Sequence, residues 1–381
     1  MRKGWVEYSL DDVTECSWGN TGTTKSKYVD SGYLAYSASG ADGFLEWFEH
    51  DRTAVVLSAI GAQCGKTWFA EGKWTSIKNT IWLKSDNSNL LDKYLFYLSN
   101  RDQFWQIRGQ AQPFISLGDV KKTKVTLPPL PEQKRIVDLI SSVDSYIEAL
   151  QQQLETAKRS RNAVLHELLT AGGDDWVETT LGEVADVIDP HPSHRAPAVD
   201  DNGIPFIVIG DLRKTGDIDF AKARRVSRDI LEEHKARYNR SEFLIGLGRV
   251  ASIGMVVRLP DENTEYVVSP TLAVIKAKDV MGQFLFYLLE GPHSQEQFQR
   301  FKKGSTRESV GMQILRKIKV HVPPLSEQQR IIEIIKSIDD VLSTTSCALS
   351  ESKKLRTGLL SDLLSGEHEI PASYDNVMSA A

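Results

Sequence analysis

Residues 125–169 read VTLPPLPEQKRIVDLISSVDSYIEALQQQLETAKRSRNAVLHELL, and residues 320–364 read VHVPPLSEQQRIIEIIKSIDDVLSTTSCALSESKKLRTGLLSDLL. The stretches align without a gap at an offset of 195, placing Pro128 on Pro323, Glu132 on Glu327, Arg135 on Arg330, Asp144 on Asp339, Arg161 on Arg356 and Leu168 on Leu363. Solenoids repeat every ~20–50 residues, so a period this long marks a duplicated module rather than a stacked array. The chain is therefore expected to carry pseudo-two-fold symmetry.

Each copy ends one kind of structure and begins another. A short β-type run, Lys124 to Leu127 or Lys319 to Val322, meets Pro-Pro, which lacks ladder donors and cannot continue a sheet interior. A helix should follow. In the second copy Ser326 and Gln329 fit a capping box, with Glu327 favouring the helix dipole; in the first, Pro131 stands where a helix begins. Apolar residues then recur at alternating steps of 4 and 3: Ile136, Ile140, Val143, Ile147, Leu150, Leu154, Ala157, Val164 and Leu168, with Arg161 in the one gap. The second copy gives Ile331, Ile335, Ile338, Leu342, Thr345, Leu349, Ser352, Leu359 and Leu363, with Arg356 in the same gap. This is a heptad seam rather than the looser stripe of a globular helix. About 38 helical residues span on the order of 57 Å. A lone helix is marginal in water, so each seam needs a partner, and the nearest is the other copy. A two-fold axis perpendicular to the helices makes the pair antiparallel. Thr345, Ser352 and the two arginines weaken the seam and serve to fix its register.

The flanks repeat as a frame with different filling. Trp5-Val6-Glu7 with Leu10 and Val13 returns as Trp176-Val177-Glu178 with Leu181 and Val184, and Tyr94 to Leu98 (YLFYL) returns as Phe284 to Leu288 (FLFYL). The implied organisation is a first variable region (1–124), a helix (125–173), a second variable region (174–319), a helix (320–368) and a frayed or extended tail (369–381). Strands are expected at Thr53 to Ile60 and Thr80 to Leu83, then at Pro205 to Gly210, Phe243 to Leu247, Val256 to Leu259 and Thr271 to Ala277. Helices are expected at Asp92 to Leu98 and, basic in character, at Ser227 to Tyr238. The fold class is α+β: two mixed α/β regions joined by two long helices in an antiparallel coiled coil.

The chain has 381 residues, enough for two or three cores, and no apolar run approaches a membrane span. Its start, MRKGWVEYSLDD, turns acidic where a signal peptide would be apolar, and three scattered cysteines suit free thiols in a reducing cytoplasm. Net charge is −5, yet residues 222–240 hold seven Lys/Arg against three Asp/Glu, and residues 300–319 hold seven against one. Local basic patches of this kind are an adequate electrostatic footprint for DNA. In the first region Lys25, Lys27, Tyr28, Gln63, Lys66, Lys73 and Lys78, in loops with Trp68 and Trp74, combine cations and amides with aromatics, as phosphate contact and base-edge readout require. In the second region the candidates are Arg213, Lys214, Arg224, Arg225, Arg228 and Arg249. Arg249 follows a glycine-rich strand end where backbone can approach DNA, and is assigned a base edge. Lys302, Lys303 and Arg307 flank a glycine turn suited to a phosphate. Gly61 to Thr67 (GAQCGKT) has one residue too few for a nucleotide-binding phosphate loop and reads as a turn between strands. His191 and His194 lack a nearby third ligand for zinc.

Two copies of P-P-L-x-E-Q-x-R-I before a long heptad helix, each after a Trp-led variable region, resemble the specificity subunit of type I restriction–modification systems. The resemblance covers nearly the whole chain. It implies that the variable regions are target-recognition domains, each reading one half of a split, asymmetric site on double-stranded DNA. It also implies that the coiled coil is a spacer. The subunit has no catalysis or cofactor of its own. It recruits two modification subunits, which bind S-adenosylmethionine, and through them restriction subunits, which use ATP and Mg. No methyltransferase Asn/Asp-Pro-Pro-aromatic motif and no Walker motif stands in the sequence. The alternatives are a catalytic methyltransferase or restriction component, expected to show activity from this chain alone, and a coiled-coil scaffold, expected to retain no DNA selectively. Leu139, Tyr146, Ile334 and Val341 are apolar but off the seam and are the candidates for docking the modification subunits.

Overall fold

The computed structural model describes residues 4–101, 103–191, 197–212, 218, 220, 223–238, 243–261, 263–302 and 309–375. The chain divides into two compact units, one of Met1–Gln151 with Cys347–Ala381 and one of Gln152–Ser346. The divisions fall inside the two long helices, Leu130–Thr170 and Leu325–Ser365, rather than at their starts. Each helix is 41 residues, about 62 Å, and gives one half to each unit.

In the first unit, the strand Val6–Ser9 pairs antiparallel with Lys124–Leu127, closing the variable region just before Pro128. Ser9 then starts the short helix Leu10–Val13, its amide bonded to the Asp12 carboxylate at 2.8 Å, and Leu10 and Val13 are wholly buried. A four-stranded antiparallel sheet follows in the order Thr14–Trp18, Thr80–Ser85, Ala54–Ser58, Thr67–Ala70. Ala54–Ser58 is buried at every position, which is why its apolar residues run on instead of alternating. A second sheet holds Tyr33–Ser37, antiparallel to Gly40–Leu45 and parallel to Lys73–Ser76, with His50–Asp51 at the edge. The helix Asp92–Ser99 carries the YLFYL frame, with Tyr94, Leu95, Tyr97 and Leu98 buried.

The second unit repeats this plan. Val177–Thr180 pairs with Lys319–Val322, and a Thr180–Glu183 cap starts the helix Leu181–Val184. The four-stranded sheet runs Ala185–Ile188, Leu272–Ala277, Leu244–Gly248, Val256–Arg258, the same topological order as in the first unit. Ile204–Ile207 is antiparallel to Arg224–Val226 and parallel to Val267–Val268, as in the other second sheet. Gly282–Glu290 carries the FLFYL frame. The helices Arg228–Lys235 and Pro292–Lys302 are additions. Arg228–Lys235 (RDILEEHK) has as many as three carboxylates of its own, so it is not the basic helix expected; the arginines cluster before it.

The heptad seam is the buried face of both long helices. Every seam position from Ile136 to Leu168 and from Ile331 to Leu363 is buried or half-buried. In the first unit Ile136 and Ile140 share a core with Leu360, Leu363 and Leu364, so the half-helices run antiparallel. In the second, Leu165 shares a core with Ile331 and Ile335, again antiparallel. Each fully buried isoleucine contributes on the order of 1.5–3 kcal/mol. Two local expectations are corrected. The second long helix begins at Leu325, so Ser326 is helical rather than capping, and Glu327 bonds Arg330 while Gln329 bonds Glu333. The described part of the tail, 369–375, is docked, not frayed: Ile370 is buried in the first unit's core, Tyr374 packs on it, and Asp375 meets Arg135 at 2.9 Å.

Candidate nucleic-acid interface

Most of the first region's candidate cations are exposed, but they are not all on loops. Gln63 and Lys66 lie in the turn between Ala54–Ser58 and Thr67–Ala70, where Gly61 and Gly65 take φ of +106° and +94°. The P-loop-like GAQCGKT is thus a hairpin turn, since L side chains avoid that backbone region. Ser58 N–H bonds Lys66 O, Ala59 N–H bonds Asn79 O, and Lys78 N–H bonds Thr23 O. These backbone bonds gather Lys66, Lys78 and the Thr23–Lys27 segment at one end of the sheet. Lys73 opens the strand Lys73–Ser76, about 16 Å of extended chain from Lys78, with Trp74 wholly buried behind it. Trp68 is likewise on a strand and packs on a core. Neither tryptophan is a loop contact. Lys25 and Tyr28 converge on Asp42, at 2.5 and 2.8 Å. Burial alone would raise the Asp42 carboxyl, but hydrogen bonds from Lys25, Ser37 and Tyr28 outweigh it and hold the pKa below the ordinary value. Two aromatics not singled out from the sequence, Trp47 and Phe48, stand beside these cations, each more than a third exposed, with Lys27 6.0 Å from the Trp47 ring and Lys73 4.9 Å from Phe48. Their signal was slight: an aromatic pair inside the acidic run Glu46 to Asp51.

In the second region Arg224 donates to Pro197 O and lies 5.6 Å from the Phe206 ring, while Arg225 donates to Gly203 O at 2.8 Å. Arg228 is paired with Glu265. All three are exposed; Arg224 and Arg225 lie on the edge strand Arg224–Val226 of the second sheet, and Arg228 opens the helix that follows it. Arg249 is corrected. Its side chain is 10% exposed, its Nε donates to Pro270 O at 2.8 Å, and its guanidinium meets Asp189 at 3.4 Å. A guanidinium with these internal partners ties strand ends together and does not present itself to a base edge. Arg213, Lys214, Lys303 and Arg307 lie outside the described residues, as do His194 and the glycine turn at 304; Lys302 is described only as the last residue of its helix. His191 is buried beside His234, ring centroids 4.8 Å apart, and burial lowers its pKa. Among the described residues no group of three or more His, Cys, Asp or Glu is disposed to hold a metal, and no helix is long and apolar enough to cross a membrane.

The matched positions of the duplicated stretch join each variable region to the long helices. Gln133 is wholly buried; its Oε1 accepts Leu91 N–H at 3.0 Å and its Nε2 donates to Pro128 O at 2.9 Å. Gln328 repeats both bonds, to Met281 N–H and Pro323 O, each at 2.9 Å. This explains the glutamine of the motif: it satisfies the start of the helix Asp92–Ser99 or Gly282–Glu290 and the end of the Pro-Pro segment together. Further along, Tyr97 Oη donates to Asp144 at 3.0 Å, and Asp144 is bonded by Arg356. In the second unit Tyr287 donates to Asp339 at 3.1 Å, and Arg161 bonds Asp339 at 2.5 Å and Glu290 at 2.8 Å. The seam arginines are therefore paired between antiparallel helices.

Of the docking candidates, Tyr146 is 55% and Val341 47% exposed. Ile334 is half-buried. Leu139 packs against the first unit's core, which takes it out of a free surface.

Comparison with known proteins agrees with this architecture. The chain matches the family described as the type I restriction modification DNA specificity domain over residues 2–159 and again over 173–351. It is 24% identical over 337 residues to the type I restriction enzyme MjaVIII specificity subunit of Methanocaldococcus jannaschii, covering 82% of this chain and 78% of that one. It is also 24% identical to the EcoBI specificity subunit of Escherichia coli, over 66% of this chain and 60% of the relative. Among solved structures, the type I system S subunit of M. genitalium superposes with a TM-score of 0.65 at 17% identity, covering 94% of this chain and 96% of that chain. A chain from a structural study of assembly and conformational transition in the type I system gives 0.56 at 17% identity, covering 96% and 98%. With one family pattern matched once over each half, and an architecture duplicated in the same two halves, the protein belongs to the type I restriction–modification DNA specificity family.

Proposed function

We propose that the chain is the DNA-reading, non-catalytic subunit of a type I restriction–modification complex. Each recognition region reads one half of a bipartite, asymmetric site on double-stranded DNA. The helix pair sets the unread spacer and docks two modification subunits through faces that include Tyr146 and Val341, with Ile334 at the margin. Those subunits supply S-adenosylmethionine chemistry, and restriction subunits reached through them supply ATP- and Mg-dependent cleavage, all in the cytoplasm. The observation that carries the reading is one sheet topology used twice with different exposed cations on it: Lys66 and Lys78 beside the strands of one, Arg224 and Arg225 on an edge strand and Arg228 on a helix of the other. One scaffold with two fillings suits two short sequences read on one duplex. Sites roughly 34 Å apart, one helical turn, are the natural geometry for paired readers.

The test is insertion of one heptad after Leu150. It preserves the seam and lengthens that helix by about 10 Å. Methylome sequencing of a host carrying the variant should show both half-sites unchanged and the spacer longer by a few base pairs at most, at about 3.4 Å each. An altered half-site would mean that the helix reads sequence. An unchanged spacer with full activity would remove the helices as ruler. The same sequencing of a host without the gene should show no such motif at all.

A further inference from the structure

Tyr97 and Tyr287 occupy the same place in the two units, and each joins three elements at one point. Tyr97 belongs to the recognition helix Asp92–Ser99, Asp144 to the first long helix and Arg356 to the second. Arg356 also lies 6.0 Å from the Tyr97 ring, and Arg161 lies 5.7 Å from that of Tyr287. Ser141 supports the first hydroxyl at 3.0 Å and Gln283 the second at 3.1 Å. Burial, with the charge of Asp144 or Asp339 alongside, pushes both phenols up to about 12, so each stays a donor at physiological pH.

A second pin sits on the same recognition helix. Gln133 holds the amide of Leu91 and Gln328 that of Met281. Leu91 and Tyr97 are six residues apart, about 9 Å along the helix. A helix held at one point can swing; one held at two points about 9 Å apart has its direction fixed against the element that carries both pins. Apolar packing around the pins, Leu95 and Leu98 among it, is non-directional and tolerates small rotations that a hydrogen bond to a charged carboxylate does not.

We propose that Tyr97 and Tyr287 are positioning residues that fix the angle of each recognition region on the helix pair and thereby sharpen the spacing at which the two half-sites are accepted. The proposal rests on the bipartite reading above. Its test uses the full chain assembled with its modification subunits and duplexes that carry both half-sites with the native spacer or a spacer one base pair longer or shorter. The measured quantity is the ratio of affinities, native over altered spacer. Tyr97→Phe with Tyr287→Phe keeps the rings and removes the hydroxyls. The ratio should fall by roughly tenfold, the change that loss of a hydrogen bond to a charged group produces. Half-site preference should stay as it was. Lys158→Ala, which removes an exposed pair with Glu155 on the same helix, should leave the ratio unchanged. A merely structural role would lower the melting temperature and weaken all three duplexes alike; that result, or a wild-type ratio in a folded double variant, overturns the proposal. A wild-type complex that binds all three duplexes equally overturns the bipartite reading and this proposal with it.

Discussion

The two seam arginines are equivalent in sequence but not in energy. Arg161 is 12% exposed and serves two carboxylates, one of which, Glu290, is 8% exposed. Arg356 is 26% exposed and serves Asp144, itself 29% exposed. Position 100, which corresponds to Glu290 in the repeated frame, is asparagine. Burial by itself would lower the Arg161 pKa, but Asp339 and Glu290 together hold it above its ordinary value. Arg161→Met keeps the apolar stem and deletes the charge that both Asp339 and Glu290 face. Removing one partner of a buried pair costs about 3–5 kcal/mol. Arg356→Met breaks a pair that water already reaches, worth about 1 kcal/mol. The predicted difference is therefore about 2–4 kcal/mol between substitutions at aligned positions. Glu290→Gln added to Arg161→Met should restore part of the loss, because it removes a buried carboxylate charge that no longer faces that cation. Global unfolding of a chain with two units is not two-state, so the assay is native-state hydrogen exchange resolved by peptide. Protection in 282–290 and 325–346 should fall in Arg161→Met, and that in 347–365 should change far less in Arg356→Met. Tryptophan fluorescence is a useful complement, since every tryptophan except Trp176 lies in the first unit. Equal losses for the two variants, or no recovery with Glu290→Gln, would refute the argument.

Other expectations follow from the same contacts. Tyr97 and Tyr287 have folded pKa values raised from 10.0 to about 12, so their contribution is complete below pH 10 and lost as pH rises to about 12. A spectrophotometric titration should show these phenols ionising late, ahead of Tyr28 and Tyr94, which burial raises further, and the amplitude of the late phase should shrink in the Tyr97→Phe, Tyr287→Phe variant. Ile370→Ala should destabilise the first unit by about 2 kcal/mol, the low end for a buried isoleucine near a chain end, and urea midpoints followed by tryptophan fluorescence would show it. Tyr146→Glu with Val341→Glu should weaken co-purification with the modification subunit and leave circular dichroism unchanged, both side chains being about half exposed; undiminished co-purification removes these residues from the interface.

Much of the fold was written locally. A strand ended by Pro-Pro, a helix opened by Glu-Gln and a seam on steps of 4 and 3 are patterns within about forty residues, and the structure has Lys124–Leu127, Lys319–Val322 and both long helices where those patterns stand. Most of the expected strands were found to within about two residues because buried β-branched runs record their own burial, while the one expected at Pro205 to Gly210 overran Ile204–Ile207 by three. Periodicity states which face of an element is buried, however, and not what buries it. The partners of Arg161 and Arg356 lie 178 and 212 residues away, and Arg135 reaches Asp375 across 240. No local signal distinguishes an arginine that faces a carboxylate from one that faces a phosphate. Arg249 was read as a DNA contact on charge and glycine neighbours, and the inward fold of its side chain onto Pro270 and Asp189 decided otherwise. The tail looked too short and acidic to pack until Ile370 met a core assembled mostly from residues over two hundred positions upstream.

The sequence by itself determined the duplication, the antiparallel seam and the two-region plan, since each is a pattern of residue types repeated along one chain. The tertiary structure alone decided which charges are internal braces and which stand exposed, because that depends on the solvation of each group and on partners far away in the chain.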